Sequence, residues 1–115
     1  VSCGKWKRSG TQCGRCVPCL IRRASFNAAT YNDTTPYQFP ILNDVIKNPN
    51  NRDDLMSMIV AIQSLENASN KNIWVARSGS LPLEKTERQS IIDTVLRGMG
   101  EVKNYLQTQN LDVTV

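Results

Sequence analysis

Four cysteines near the start of the chain are the residues with the clearest capacity for chemistry. Cys3 is followed by Cys13, Cys16 and Cys19, which gives the pattern C-x9-C-x2-C-x2-C. The chain contains no histidine, so the commonest general base and the commonest metal ligand are both missing. A metal site in this segment must therefore be built from cysteines, with carboxylates as the only other candidate ligands.

Four interpretations of these cysteines compete. Four sulfurs without other ligands suit a tetrahedral Zn²⁺ ion, and we expect Cys3, Cys13, Cys16 and Cys19 to hold one. Such a site is structural, because four thiolates leave no position for a reactive water. An iron–sulfur cluster remains open, although the closing C-x3-C-P part of the ferredoxin pattern is missing. Disulfides remain open but need an oxidising compartment, and a redox C-x-x-C is expected beside a βαβ pattern.

The backbone around the cysteines predicts a loop that leads into a helix. Gly4, Gly10 and Gly14 supply the freedom that closely spaced ligands need. Pro18 suits the first position of a helix, and we expect that helix at Cys19–Ala29. Cys19 then lies at the start of the helix, where free N–H groups and the helix dipole favour a thiolate.

The rest of the chain predicts helices joined by loops. Residues 30–40 contain two prolines and three aromatic residues, which indicates an extended connection. Apolar residues at helical spacing then predict helices at Ile41–Lys47, Asp53–Glu66 and about Leu83–Gln109. The apolar run Ile73–Ala76 predicts a short strand or an extended segment.

The last predicted helix carries an apolar stripe that something must cover. We expect the stripe to pack against Leu55, Ile59 and Ile62. Its members are Ile92, Val95, Met99, Val102 and Leu106. Gly98 and Gly100 interrupt this helix, which predicts a close approach by a neighbouring backbone and destabilising overpacking in Gly98→Leu.

These segments predict a mainly α fold, with an N-terminal four-cysteine zinc knuckle leading into a small helical bundle. We divide the chain into the knuckle and its helix at 1–29, a proline- and aromatic-rich connection with a short helix at 30–52, and a helical module at 53–115. The longest apolar run, Met58–Ile62, is much shorter than the ~20 residues of a membrane span. We therefore expect no membrane partner and a cytoplasmic location.

The net charge of +4 is unevenly distributed along the chain. All of Lys5, Lys7, Arg8, Arg15, Arg22 and Arg23 precede the first acidic residue, and the remainder holds eight basic against ten acidic residues. Two interpretations remain open: the basic residues only solubilise the module and screen its thiolates, or Arg15, Arg22 and Arg23 contact phosphates or an acidic protein partner. Nucleic acid is the alternative partner, because arginines beside a zinc knuckle also suit its backbone.

The segment around the cysteines also resembles a known family. The run Cys13-Gly14-x-Cys16-x-x-Cys19-Leu20-Ile21-Arg22-x-x-x-Phe26, with Cys3 upstream, resembles the C-terminal zinc segment of 7-cyano-7-deazaguanine synthases. These are ATP-dependent enzymes of 7-deazapurine biosynthesis, built on a nucleotide-binding α/β domain. The longer remainder, with "IWVARSGSLP" and the final helix, is similar to the synthase-like component of the Qat anti-phage defence system.

The resemblance implies that this chain is the C-terminal part of a larger α/β ATP-dependent protein, in agreement with Val1 as its first residue. The family binds ATP phosphates with a Ser-Gly-Gly-x-Asp-Ser loop, of which Ser78-Gly79-Ser80 matches only a fragment. We therefore expect no catalysis by this chain alone, and ATP binding only through the missing domain. The implied partners are that N-terminal nucleotide-binding part and other defence-system proteins. The rings expected to face the missing part are Phe26, Tyr31, Tyr37 and Phe39.

Overall fold

A computed structural model describes Cys3 and residues 11–111. Within this part the chain forms helices and no strand, which confirms the predicted mainly α fold. The helices are α1 (Val17–Ala28), α2 (Leu42–Lys47), α3 (Asp53–Asn67), α4 (Lys71–Ser78) and α5 (Lys85–Thr108). None of them combines the length and the apolarity that a membrane-spanning helix needs. The knuckle residues Gly4, Lys5, Lys7, Arg8 and Gly10 lie outside the described residues.

The predicted helices form with shifted ends. Helix α1 begins at Val17, before the predicted Cys19, and Pro18 lies in its first turn. Helix α5 begins later than predicted because the Glu84 side chain accepts hydrogen bonds from the backbone N–H groups of Thr86 and Glu87. Such a cap fixes the first turn of a helix.

The predicted strand at Ile73–Ala76 is wrong, because these residues form the middle of α4. The β-branched and aromatic side chains favour a strand locally, but the described residues offer no other strand for pairing. Asn70 caps the helix instead, with its side-chain oxygen accepting a hydrogen bond from Ile73 N at 3.1 Å. Val75 is buried, and the Trp74 indole donates to the Ser64 hydroxyl of α3 at 2.9 Å.

The hydrophobic core lies where α1, α3 and α5 meet. Its buried members are Leu20, Ala24, Leu42, Val45, Leu55, Met58, Ile59, Ile62, Val102, Leu106 and Leu111. The predicted contact of α5 with α3 is present in this cluster through Val102 and Leu106, with Met99 packed against it, but Ile92 and Val95 are not members. Helix α5 packs mainly against α1. Leu20 and Ala24, one helical turn apart, form the apolar face of α1 in the cluster. Helix α1 therefore joins the cysteine loop to the core.

The predicted close approach at Gly98 and Gly100 is wrong. A Cβ atom built at either glycine meets no neighbouring atom within 4 Å. Gly98 instead lines an apolar cavity of about 220 Å³ between α1, α3 and α5. A larger side chain at Gly98 therefore has room, and overpacking is not expected there.

Helices α1 and α5 end in the same way. After α1, Thr30 has a φ of 56°, and Tyr31 N donates to Phe26 O at 2.9 Å. After α5, Asn110 has a φ of 61°, and Leu111 N donates to Leu106 O at 3.1 Å. Both follow the Schellman pattern, which is often accompanied by an apolar contact between the two bonded residues. The edge-to-face contact of Phe26 and Tyr31, with ring centroids 6.3 Å apart, is such a contact.

Candidate metal centre

The four predicted cysteines converge on one point. Their Sγ atoms all lie within 4.8 Å of one another. Cys16 Sγ lies 3.6 Å from Cys3 Sγ, and Cys13 Sγ lies 3.8 Å from Cys19 Sγ. Cys3, Cys13 and Cys19 are buried and Cys16 is half-buried. The structure therefore contains a four-sulfur cluster that could hold a metal ion.

The loop between Cys13 and Cys16 folds around the sulfurs through backbone N–H groups. Arg15 N and Cys16 N donate to Cys13 Sγ at 3.4 and 3.3 Å. Cys13 N donates to Cys3 Sγ at 3.4 Å. Sulfur is a weak acceptor when neutral, and these bonds strengthen when it carries charge. The loop is therefore shaped to support thiolates.

Gly14 is required by this loop. Its φ of +86° lies in the left-handed region, and a Cβ atom there would lie 2.8 Å from Tyr37 Cβ and 2.9 Å from Phe39 O. The contacts arise because residues 38 and 39 pair with the loop. Phe39 N donates to Cys13 O at 2.8 Å, and Gln38 N donates to Gln12 O at 2.9 Å. The connection between α1 and α2 thus forms one wall of the cysteine cluster.

Burial dominates the electrostatics of the cluster. It raises the pKa of the Cys16 thiol, although hydrogen bonds with Cys19 partly oppose this shift. It also raises the pKa of the Cys19 thiol well above the usual range, and there the neighbouring cysteines add to the shift. The expected stabilisation of a Cys19 thiolate by the helix N-terminus is outweighed by this desolvation. Four thiols this close ionise together only when a cation balances their charge, so metal binding here releases protons.

The sulfur positions fit the ligand shell of one ion. A tetrahedral site with Zn–S bonds of about 2.3 Å has sulfurs roughly 3.8 Å apart, close to the two distances given above. The four side chains are thiols rather than disulfides. Because all four sulfurs point to the same place, a bound ion would have a closed coordination shell and no position for substrate.

Arg23 is buried beside this centre and makes internal contacts. Its guanidinium donates to Gly14 O at 2.9 Å, to Phe39 O at 3.3 Å and also to Pro40 O. It donates further to the Tyr105 hydroxyl of α5 at 3.0 Å. One side chain thereby fastens the cysteine loop, the connection and α5 together.

Arg15 and Arg22 lie nearer the surface, each over an aromatic ring. The Arg15 guanidinium stacks on Phe39 and that of Arg22 on Phe26, both 5.1 Å from the ring centroid. Arg22 also donates to the Thr35 hydroxyl at 3.2 Å. The Nε atoms of both arginines are buried without a hydrogen-bond partner among the described residues. The three predicted contact arginines are therefore near one another in sequence but differ in role.

Asp33 and Tyr37 lie in the connection between α1 and α2, which forms one wall of the cysteine cluster. The Tyr37 hydroxyl donates to Asp33 Oδ2 at 2.5 Å, and Thr35 N donates to Asp33 Oδ1 at 3.1 Å. Burial raises the pKa of Asp33, but these hydrogen bonds outweigh it and leave that pKa below its ordinary value. Burial and the Asp33 carboxylate raise the pKa of Tyr37 to about 12.

Two contributors to this centre escaped the sequence analysis. Gln12 accepts a hydrogen bond from Cys19 Sγ at 3.6 Å, and Asp54 accepts one from Val17 N at 3.1 Å, the free N–H at the start of α1. The Arg23 role also escaped, although its position three residues after Leu20 puts it near the apolar face of α1. That spacing was the available signal for a buried arginine. No comparable signal marks Gln12 or Asp54.

The segment Ser78-Gly79-Ser80 lies at the C-terminal end of α4. A phosphate-binding loop precedes a helix and uses the free N–H groups at its N-terminus. The C-terminal end presents carbonyl groups and partial negative charge, which repel phosphate. The geometry at these residues is therefore unlike that of a phosphate-binding loop.

The chain is partly similar to one kind of characterised enzyme. It is 52% identical over 40 residues to a 7-cyano-7-deazaguanine synthase of Cupriavidus metallidurans. The matched stretch is 35% of this chain and 18% of that protein. No protein-family profile matches the chain, and no solved structure matches it. The similarity supports a relation to these synthases over that stretch.

Proposed function

We propose that this chain is a non-catalytic, zinc-stabilised C-terminal module of an ATP-dependent protein of the 7-cyano-7-deazaguanine synthase kind. The observation that carries the proposal is the set of four cysteine sulfurs within 4.8 Å of one another. The 52% identity to a synthase over 40 residues supports the family part of it. The resemblance of the later segments makes the Qat anti-phage defence system the setting that we propose.

Zinc is the ion that suits the donor set. Thiolates select zinc over the hard cations magnesium and calcium, which bind oxygen. An iron–sulfur cubane attaches its cysteines to four different irons, so their sulfurs lie farther apart than ligands of one ion. The bound zinc supplies cross-linking and no reaction step. The chain's own residues then hold the loop, since Cys13 and Gly14 carbonyls accept bonds from Phe39 N and Arg23.

The partner surface in this proposal is the aromatic and arginine-rich side of the metal centre. Tyr31 is 72% exposed, and Arg15 and Arg22 lie over half-buried rings of Phe39 and Phe26. Aromatic residues and arginine are enriched in protein interfaces, where they contribute much of the binding energy. We propose that this surface contacts the nucleotide-binding part of the parent protein. Other defence-system proteins are further candidates for the module's remaining surface.

Nucleic acid is the weaker candidate because of the arginine contacts. Arg23 is 6% exposed and bonded to carbonyl groups, so it is not available to a phosphate backbone. The surface arginines among the described knuckle residues are then Arg15 and Arg22. Each phosphate contact makes binding more salt-dependent, so salt dependence separates the two candidates.

The test is calorimetric titration of the chain with the N-terminal nucleotide-binding part of the parent protein. We expect binding that weakens at least tenfold with Tyr31→Ala and is unchanged with Leu83→Ala, which removes another exposed apolar side chain. Absence of binding would contradict the partner proposal. Binding of a single-stranded oligonucleotide that weakens steeply with salt would favour nucleic acid instead. ATP hydrolysis by the chain alone would contradict its non-catalytic role.

A further inference from the structure

The fold protects the four sulfurs of the metal centre unequally. Cys3, Cys13 and Cys19 are 5%, 0% and 1% exposed, whereas Cys16 is only half-buried. Cys13 Sγ is further shielded by the N–H groups of Arg15 and Cys16. A reagent that arrives from solvent therefore reaches Cys16 before the other ligands.

A second thiol lies within reach of Cys16. Cys3 Sγ lies 3.6 Å away, and a disulfide requires an approach to about 2.05 Å. The other two sulfurs, of Cys13 and Cys19, lie 3.8 Å apart. All four sulfurs lie within 4.8 Å of one another. The short contact of Cys16 with Cys3 includes the half-buried cysteine, whereas that of Cys13 with Cys19 joins two buried ones.

We infer that Cys16 is an oxidation site for hydrogen peroxide, and that its oxidation joins it to Cys3 and releases the metal. The inference rests on the proposed metal centre and concerns the regulation of that site. The Cys16 thiolate attacks one peroxide oxygen, which forms a sulfenic acid and expels hydroxide. The Cys3 thiolate then attacks the Cys16 sulfur and expels a second hydroxide. Two thiolates lose two electrons in total, and one peroxide is reduced to two hydroxides.

Loss of these ligands has a consequence beyond the centre. A disulfide sulfur no longer carries the charge that holds a cation, so two of the four ligands are removed at once. The second pair, Cys13 and Cys19, then retains too few ligands for a closed site. Cys13 O accepts a hydrogen bond from Phe39 N, so the connection at residues 31–40 loses this bond when the loop rearranges. Oxidation therefore loosens the surface that carries Tyr31.

The experiment begins with the purified, metal-loaded chain and a measurement of its metal content. Hydrogen peroxide is added at one and then two equivalents, with the released metal read by a chelating dye. Disulfides are mapped by differential alkylation and mass spectrometry. We expect one equivalent to yield a Cys3–Cys16 disulfide and metal release, and two equivalents to add Cys13–Cys19. Reduction with a dithiol and addition of zinc should restore the starting state.

Met56 provides an internal control, since its side chain is 40% exposed and methionine is itself oxidised by peroxide. We expect Met56 to remain unmodified at the dose that releases the metal. Oxidation of Met56 before Cys16, or a first disulfide that lacks Cys16, would overturn the inference. Metal retained with four intact thiols would overturn it while leaving the proposed function untouched. A chain purified without any metal would overturn both.

Discussion

The metal end and the helical core of this protein are stabilised by different means. At the metal end, residues 11–16 and 31–40 contribute Cys13, Cys16 and the carbonyls around Arg23, but no aliphatic side chain of theirs belongs to the buried core cluster. In the core, α3 and α5 bury leucine, isoleucine and valine side chains. Helix α1 belongs to both regions, because Cys19 joins the sulfurs while Leu20 and Ala24 join the core.

The difference indicates what the proposed ion would contribute to a segment without aliphatic core residues. Ordering each backbone residue costs about 1–2 kcal/mol, and residues 11–16 bury too little apolar surface to offset this. In our proposal a bound ion supplies the missing free energy at a single point. The core is instead stabilised by burial of its apolar side chains. Perturbations should therefore spread differently in the two regions.

Loss of a ligand should produce the largest effect. Cys13→Ser removes a fully buried sulfur, and structural zinc sites contribute about 10–16 kcal/mol of binding free energy. We expect loss of metal and rapid hydrogen exchange at residues 11–16 and 31–40, with α3 and α5 still protected. Exchange with mass-spectrometric detection measures this, and the exposed Ser90→Ala in α5 is the control. Equal loss of protection in α3 and α5 would show that the two regions are one unit.

Truncation in the core should have the next largest effect and should act globally. Leu20→Ala removes a side chain that is 0% exposed, and such a change costs about 2–5 kcal/mol. Leu83→Ala is the same chemical change at a side chain that is 96% exposed, and we expect it to stay within about 0.5 kcal/mol. Urea unfolding of both variants gives the free energies of unfolding. Similar values for the two leucines would contradict the assigned core.

Substitution of Arg23 tests the contacts that connect the two regions. Arg23→Met keeps most of the side-chain length but removes the donors to Gly14 O and Phe39 O. A buried acceptor left without a donor costs about 1–3 kcal/mol, so we expect a loss of about 3 kcal/mol and weaker metal retention. Tyr105→Phe, which removes one bond to Arg23, should cost about 1 kcal/mol. The exposed Arg97→Met is the matched control, and an equal effect there would contradict the structural role of Arg23.

Two glycine-to-alanine changes, one in each region, should change the free energy of unfolding in opposite directions. Gly14→Ala at the metal end forces a Cβ to within 2.9 Å of Phe39 O at a φ of +86°, which we expect to cost about 2 kcal/mol. Gly98→Ala in α5 meets open space and improves helix propensity, so it should stabilise by about 1 kcal/mol. Thermal unfolding of the metal-loaded variants gives the change in melting temperature that each substitution causes. A destabilising Gly98→Ala would mean that a neighbour approaches α5 there.

The smallest effect is expected from the hydrogen bond between Tyr37 and Asp33. Tyr37→Phe should cost about 1 kcal/mol at neutral pH. The folded-state pKa of Tyr37 is raised to about 12, above its unfolded value of about 10. Its stabilisation is therefore fully present below pH 10 and is lost as the pH rises towards 12. The difference between Tyr37→Phe and the unchanged chain should shrink over that window, and a difference that grows would contradict the assigned bond.

The sequence allowed the metal centre to be predicted better than its surroundings. The spacing of Cys13, Cys16 and Cys19 is a local signal, and the four sulfurs do converge. The clamp by Arg23 depends on carbonyls at residues 14, 39 and 40, which come together only when the connection folds back over the loop. Such long-range partners leave no local pattern. From the sequence alone, a charged residue such as Arg23 is therefore predicted to make contacts at the surface.

The helices show the same division between local and distant causes. Helix α5 was predicted because its apolar spacing is regular over many turns. Helix α4 was missed because Ile73, Trp74 and Val75 favour a strand locally, while the cap at Asn70 and the contact with Ser64 decide the outcome. Gly98 was misread because an interrupting glycine usually indicates a close neighbour, and here it lines a cavity.

The central claim is that one ion, coordinated by four cysteine sulfurs, fixes the metal end of this module. X-ray absorption spectroscopy at the zinc edge, combined with elemental analysis of the purified chain, tests it most directly. We predict one zinc per chain with four sulfur neighbours at about 2.3 Å and no nitrogen or oxygen ligand. Stoichiometric iron, a mixed ligand shell, or a metal-free chain whose Cys13 reacts freely with an alkylating agent would contradict the account.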